Sequence, residues 1–244
     1  MRNVLLLSIA STVLLGCTAA DTLPDFGGVW ARHPNPYANG ENPPLPGGEP
    51  ALKEPYASAY KESLAKKRAA DEHGTPLIDD STRCLPEGMP TIMGATYPLE
   101  IFQSPRDVVV LAELFTQTRR IFLNETLPPL DEVTPSYNGS SIGHYEGQTL
   151  VVETRGVLED VKFAPFGIPH SRNMKITEQL RLAGPDLLEN HITIEDPGVL
   201  DSPYVFTFRY KRKPDYKVSE YICDNNRYEP DETGNGVKLN VNPK

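Results

Sequence analysis

The sequence predicts a mainly β fold: an antiparallel meander of short strands that closes into a barrel or a strongly curved sheet, with one N-terminal helix. Three observations carry that prediction. From Tyr97 onward, β-branched and aromatic runs alternate with turn signals at short spacing, with no helical period between them. The 24 prolines and 18 glycines among 244 residues supply abundant turn chemistry. The apolar runs between them are too frequent for a disordered chain.

The elements follow in order. Met1-Arg2-Asn3 is a short positive start, and Val4 to Leu15 is an apolar run too short to span a bilayer. Leu14-Leu15-Gly16-Cys17 resembles the lipobox of bacterial lipoproteins, which implies cleavage before Cys17 and lipid on its sulfur. Several acyl chains on one residue anchor stably, each buried methylene contributing about 0.8 kcal/mol. Residues 1–16 are thus expected to be a signal peptide, and residues 17–50 a lipidated tether and irregular arm. Within that arm Asp25 to Trp30 reads as a short strand carrying the single tryptophan. A β-rich domain is expected over residues 51–228 and a flexible tail over 229–244.

The helix is expected at residues 55–73. Pro55 suits a first turn, Tyr56, Ala59, Tyr60 and Leu64 share a face, and Gly74 stops it. Strands are expected at Leu99–Phe102, Val108–Leu114, Arg119–Leu123, Ser141–Tyr145, Thr149–Thr154, Lys175–Leu182 and Leu187–Ile194. Val205–Lys211 and Val218–Cys223 are expected to form the last pair. Glu146-Gly147-Gln148 is the tightest hairpin signal.

Composition narrows the partners. A formal net charge of −9 argues against nucleic acid, whose phosphates want a basic face. With Cys17 assigned to lipid, Cys84 and Cys223 remain, and in an oxidising compartment two remaining thiols pair. Their bridge closes a loop of roughly 140 residues, worth about 5 kcal/mol in the chain-entropy model. Neither cysteine sits in a CxxC pair, and no HExxH motif occurs, so no metal and no cofactor are expected.

Several motifs recur, in this order, in an uncharacterised family of bacterial secreted proteins and lipoproteins that this chain resembles. They are Pro24-Asp25-Phe26-Gly27-Gly28-Val29-Trp30, Cys84 to Pro90, Arg119-Arg120-Ile121, Ser141-Ile142-Gly143 with Glu146-Gly147 and Thr149 to Val152, Pro169-His170-Ser171, and Glu195-Asp196-Pro197. The chain departs from that pattern at His144, where Arg is usual, and at Tyr145, where Trp is usual. Gly28-Val29-Trp30 is also similar to the G-x-W start of lipocalin-type barrels. That resemblance implies a Trp closing the barrel base against a late-strand arginine, Arg209 or Arg212.

Candidate chemistry concentrates on a few residues. His170, on a loop between Asp160 and the strand carrying Glu178, is placed as a general base with either carboxylate orienting its ring; the alternative is a histidine capping a loop through backbone hydrogen bonds. Arg119 and Arg120 alternate across a strand, so one faces inward and needs a carboxylate, for which Glu113 on the neighbouring strand is the nearest candidate. That arginine is either half of a structural ion pair or an anchor for an anionic ligand. Tyr145 joins the candidate binding residues. Phe102, Phe115, Phe122, Tyr145, Phe206, Phe208 and Tyr210 either line a cavity or fill a solid core.

The expected function is that of a lipid-anchored periplasmic protein, more readily on the outer membrane, holding a small apolar or aromatic molecule in a barrel-like cavity. Two alternatives stand beside it. One is a cofactor-independent acid/base isomerase, lyase or hydratase using His170. The other is a cell-envelope interaction protein. The partners expected are a small-molecule ligand or substrate and, through Cys17, a membrane; the oligomeric state is left open.

Overall fold

The computed structural model describes residues 22–39, 44–75, 77, 83–163, 167–223, 228–230, 233 and 237–239. The signal segment and Cys17 lie outside the described residues. Nine strands close into one barrel, each hydrogen-bonded to its neighbour in sequence and the ninth returning to the first. They are β1 (Gly28–Arg32), β2 (Leu99–Gln103), β3 (Asp107–Ala112), β4 (Gln117–Leu123), β5 (Ser140–Glu146), β6 (Thr149–Arg155), β7 (Lys175–Gly184), β8 (Leu187–Glu195) and β9 (Tyr204–Arg212). A helix α1 (Tyr56–Glu72) and a single turn α2 (Thr91–Gly94) lie between β1 and β2.

An odd number of staves cannot all alternate in direction around a closed ring, so one neighbouring pair must run parallel. That pair is β4 and β5, registered Ile121↔Ser141 to Leu123↔Gly143. A parallel neighbour needs a long return, and residues 124–139 provide it. The other neighbours from β2 to β9 pair antiparallel as the expected meander has them, and this seam departs from it. Pro128, Pro129 and Pro135 in that return supply no N–H for a ladder, and the return forms no stave of its own.

The final expected pair is not formed. Residues 213–223 make no strand; instead β9 pairs with β1, with Trp30 opposite Arg212 and Arg32 opposite Tyr210. Pro214 ends the ladder, and β1 has already taken the free edge of β9. The stretch expected as part of an irregular arm therefore contributes a stave, and the domain starts well before residue 51. In the expected flexible tail, β10 (Tyr228–Pro230) pairs antiparallel with β11 (Val237–Leu239).

Alternation decides what fills the barrel. Trp30, Ile101, Val110, Ile121, Leu150, Val152, Ile176 and Ile192 all turn inward and are fully or almost fully buried. The interior is thus a packed core. Arg212 closes one end, its guanidinium 4.2 Å from the centre of the Trp30 ring, while Arg209 points outward to Glu189 at 2.7 Å. The other end is stoppered by Met89, Ile92 and Met93 on and beside α2, all buried, and the Tyr210 hydroxyl donates to the Met93 carbonyl at 2.6 Å.

The segment Cys84–Pro90 reaches that stopper by passing close to the return. The Met89 N–H donates to the Tyr137 carbonyl at 2.9 Å, and Gly88 holds φ +65° where any Cβ would run into that same carbonyl. Cys84 is bonded to Cys223 with Cα atoms 5.6 Å apart, so the expected disulfide is present. Helix α1 buries Tyr60 and turns Glu62, Lys66, Lys67 and Asp71 to solvent as two exposed i,i+4 ion pairs of small energetic weight. Among the described residues no helix is long and apolar enough to cross a membrane.

Candidate functional site

Two polar features stand out, one inside the barrel and one at its mouth. Pleating sends Arg119 and Arg120 to opposite faces, as expected. Arg120 faces solvent and pairs with Asp107 at 3.2 Å. Arg119 faces in and is 1% exposed. Its partner is not Glu113. That carboxylate falls one residue beyond β3, past the register that places Val110 opposite Arg119, and accepts instead from the Tyr216 hydroxyl and the Ser219 N–H.

Glu178 on β7 takes that role from across the barrel. Arg119 Nη1 donates to Glu178 Oε1 at 3.1 Å and Nη2 to Oε2. Nη2 also reaches Thr154 Oγ1 at 2.9 Å and Ser141 Oγ at 3.2 Å, while Asn190 Nδ2 donates to Glu178 Oε1 at 2.8 Å. Five consecutive strands, β4 to β8, thus contribute one side chain each to a buried polar belt. Paired in this bidentate way, Arg119 has its charge neutralised by protein and is not poised as a ligand anchor.

His170 does not assemble the expected base. Its Nδ1 meets the Ser171 carbonyl at 3.0 Å, and among the described residues Nε2 has no partner in hydrogen-bonding geometry. Burial lowers its pKa, outweighing the Ser171 and Val161 backbone groups that raise it, so the ring is neutral near pH 7. Asp160 is exposed, and Glu178 is locked in the barrel belt. The acidic group beside the motif is Asp196, which accepts from the Ser171 N–H at 2.6 Å and its hydroxyl at 2.8 Å. The Pro169-His170-Ser171 and Glu195-Asp196-Pro197 motifs therefore fasten one loop to another. His170 stacks on Phe163 at 6.1 Å and stands behind the cavity wall without joining it.

Tyr145 also serves the frame. Its hydroxyl accepts from Gln103 Nε2 at 2.9 Å, while Gln103 Oε1 takes the Phe26 N–H at 2.6 Å. Phe102 and Phe122 are exposed on the outer face, Tyr210 is buried in the core, and Phe115 packs edge-on against Tyr221. Of the aromatics named from sequence, Phe206 and Phe208 line the cavity at the barrel mouth, while Phe115 and Phe122 border a shallower one beside Arg120 and Tyr137. His144 with Glu146 and His191 with Thr207 form exposed pairs, and among the described residues no group of three or more His, Cys, Asp or Glu could hold a metal ion.

The cavity lies at the mouth, beside the α2 stopper, and measures about 320 Å³. Phe163, Ile168, Tyr204, Phe206 and Phe208 form one wall, Pro90 to Tyr97 another, and the proline-rich stretch Pro36–Pro46 contributes Tyr37 and Leu45 to a third. The arm is held there by Tyr204, whose hydroxyl donates to the Gly48 carbonyl at 3.1 Å and accepts from the Gly47 N–H at 3.2 Å. Burial raises the Tyr204 and Tyr37 pKa values, so both phenols are protonated near neutral pH.

Arg32 is the cation of this wall. Its guanidinium lies 3.9 Å from the centre of the Phe208 ring, and Nη1 makes one long bond of 3.3 Å to the Gly94 carbonyl. Desolvation lowers its pKa, partly offset by Tyr210 and Tyr37. The sequence reading did not select Arg32, although the period of two that turns Trp30 inward turns Arg32 inward as well.

No family model matches this chain, and no curated protein matches it either. Among solved structures, that of the fluorescent protein UnaG N57A mutant is similar over 77% of this chain and 96% of its own, at 16% identity and a TM-score of 0.33. At those values the closed barrel rests on the pairing of its own strands.

Proposed function

We propose that this chain is an exported, lipid-anchored protein that holds a small aromatic or apolar molecule in the cavity at the barrel mouth. The observation that carries this reading is the aromatic wall of Phe163, Tyr204, Phe206 and Phe208 around about 320 Å³, a volume within the range of small-ligand sites. The ligand site moves from the barrel interior, which is filled, to the space between stopper, arm and β9. Export and anchoring are supported by the apolar run ending in Leu14-Leu15-Gly16-Cys17.

The binding reading is tested by calorimetric titration of a panel of mono- and bicyclic aromatic compounds against the full chain and its Thr96→Trp variant. Thr96 is an exposed wall residue, so an indole there fills the cavity without opening the core. Binding by wild type, reduced about tenfold or more in the variant at an unchanged melting temperature, is expected. Equal binding by both proteins removes the ligand from this cavity. The anchoring reading predicts that a fatty-acid analogue labels the wild type and not Cys17→Ser; equal labelling refutes it.

A further inference from the structure

We infer that the ligand of the mouth cavity carries a carboxylate, seated against Arg32 with its ring system on the aromatic wall. This rests on the cavity reading above and assigns the chemistry of its occupant.

The argument begins with an imbalance of charge. On the staves, buried Arg119 is matched by Glu178 and buried Glu189 by Arg181 and Arg209, whereas Arg32 is half-buried on β1. Among the described residues no carboxylate lies within ion-pair distance of its guanidinium. It is partly desolvated, it lies face-on to an aromatic ring, its Nε is buried without a hydrogen-bond partner among the described residues, and the bond it gives to the Gly94 carbonyl is long. Taking a guanidinium out of water costs several kcal/mol unless an anion meets it. A ligand carboxylate brought into the cavity supplies that anion where water competes weakly, and its Coulombic attraction is stronger there than at an open surface.

The surroundings favour one anionic group on an otherwise apolar body. Phe206, Phe208, Phe163 and Ile168 offer no donor, so a polyanion would leave its other charges unmet. Glu87 also lines the cavity, and its negative charge raises the Tyr37 pKa. It repels an anion from its own side of the space and so favours the Arg32 side. Tyr204 in the same wall is a phenol whose pKa burial raises, so it adds no charge near neutral pH.

The experiment compares 2-naphthoate with 2-naphthamide, equal in shape and unequal in charge, by isothermal titration calorimetry against the full chain. Wild type is expected to bind the acid about tenfold or more tightly than the amide, the scale of one charge-assisted hydrogen bond. In Arg32→Met that preference disappears while amide binding persists, the persistence showing that the cavity is intact. In Glu87→Gln, acid binding tightens and amide binding does not change. Equal binding of acid and amide by wild type, or a preference that survives Arg32→Met, overturns the carboxylate seat and leaves the cavity reading standing. Binding of neither compound overturns both. If Arg32→Met fails to melt cooperatively, the wild-type comparison and Glu87→Gln decide, since neither disturbs the guanidinium.

Discussion

Glu178→Ala is expected to destabilise the fold by about 3–5 kcal/mol, because it strands the buried Arg119 guanidinium without its carboxylate. Arg119 and Glu178 are 1% and 0% exposed, so water cannot replace the lost partner without opening the wall. Ser141 and Thr154 remain within reach of Arg119 but carry no charge, and Asn190 Nδ2 loses its acceptor at the same time. The reverse change, Arg119→Met, should be costly for the same reason, leaving a buried carboxylate. The double variant Arg119→Met with Glu178→Met replaces both charges with side chains of similar length, and should recover most of the loss. Urea unfolding of wild type, Arg119→Met, Glu178→Met and the double variant forms a cycle that isolates the pair. A single-variant loss below about 1 kcal/mol would show that the belt is hydrated in solution.

The second large effect concerns the bridge between Cys84 and Cys223. Replacing both by Ser is expected to cost about 2–5 kcal/mol, chiefly by freeing the unfolded chain, since the bond spans 139 residues. The folded state keeps much of the strap at residues 213–223 in place without it. Tyr216 donates to Glu113, the Thr116 hydroxyl donates to the Tyr221 carbonyl at 3.2 Å, and the Tyr221 ring meets Tyr97 and Phe115 edge-on at 5.6 and 5.3 Å. The urea midpoint should therefore fall while the slope and the barrel signature of far-ultraviolet circular dichroism hold. Hydrogen exchange should quicken most in the strap and in the Cys84–Pro90 segment, which leads to the stopper and to one wall of the cavity. Loss of the β signature altogether would mean that the bridge is a condition of folding and not an increment of stability.

Much of the architecture was legible because it depends on local alternation. The strands β2 to β9 appear where a period of two, bounded by turn residues, places them, and α1 appears where a 3.6 period follows Pro55. The pairing of Cys84 with Cys223 also followed from residue type and position, and the resemblance of Gly28-Val29-Trp30 to a lipocalin-type start implied Trp30 beneath a late arginine. Where the reading failed, the deciding fact was a distant neighbour. Val218–Cys223 has a fair strand composition, but β1 already occupied the edge it would have joined. Glu113 is close to Arg119 in sequence, yet Glu178 meets it across the closed barrel. His170 stands near Asp160 and Glu178 along the chain, and closure sends one to solvent and the other into the core.

The sequence by itself determined a mainly β chain with one substantial helix, the inward and outward faces of its strands, an arginine buried on β4 and a covalent tie between Cys84 and Cys223, since each depends on residue type and short-range period. Only the tertiary structure decided that nine staves close with a parallel seam, that the barrel is filled, and that the cavity lies at its mouth under Arg32. Those outcomes depend on which strand edges meet and how much volume the enclosed side chains occupy. Neither quantity is a property of any one segment of the chain.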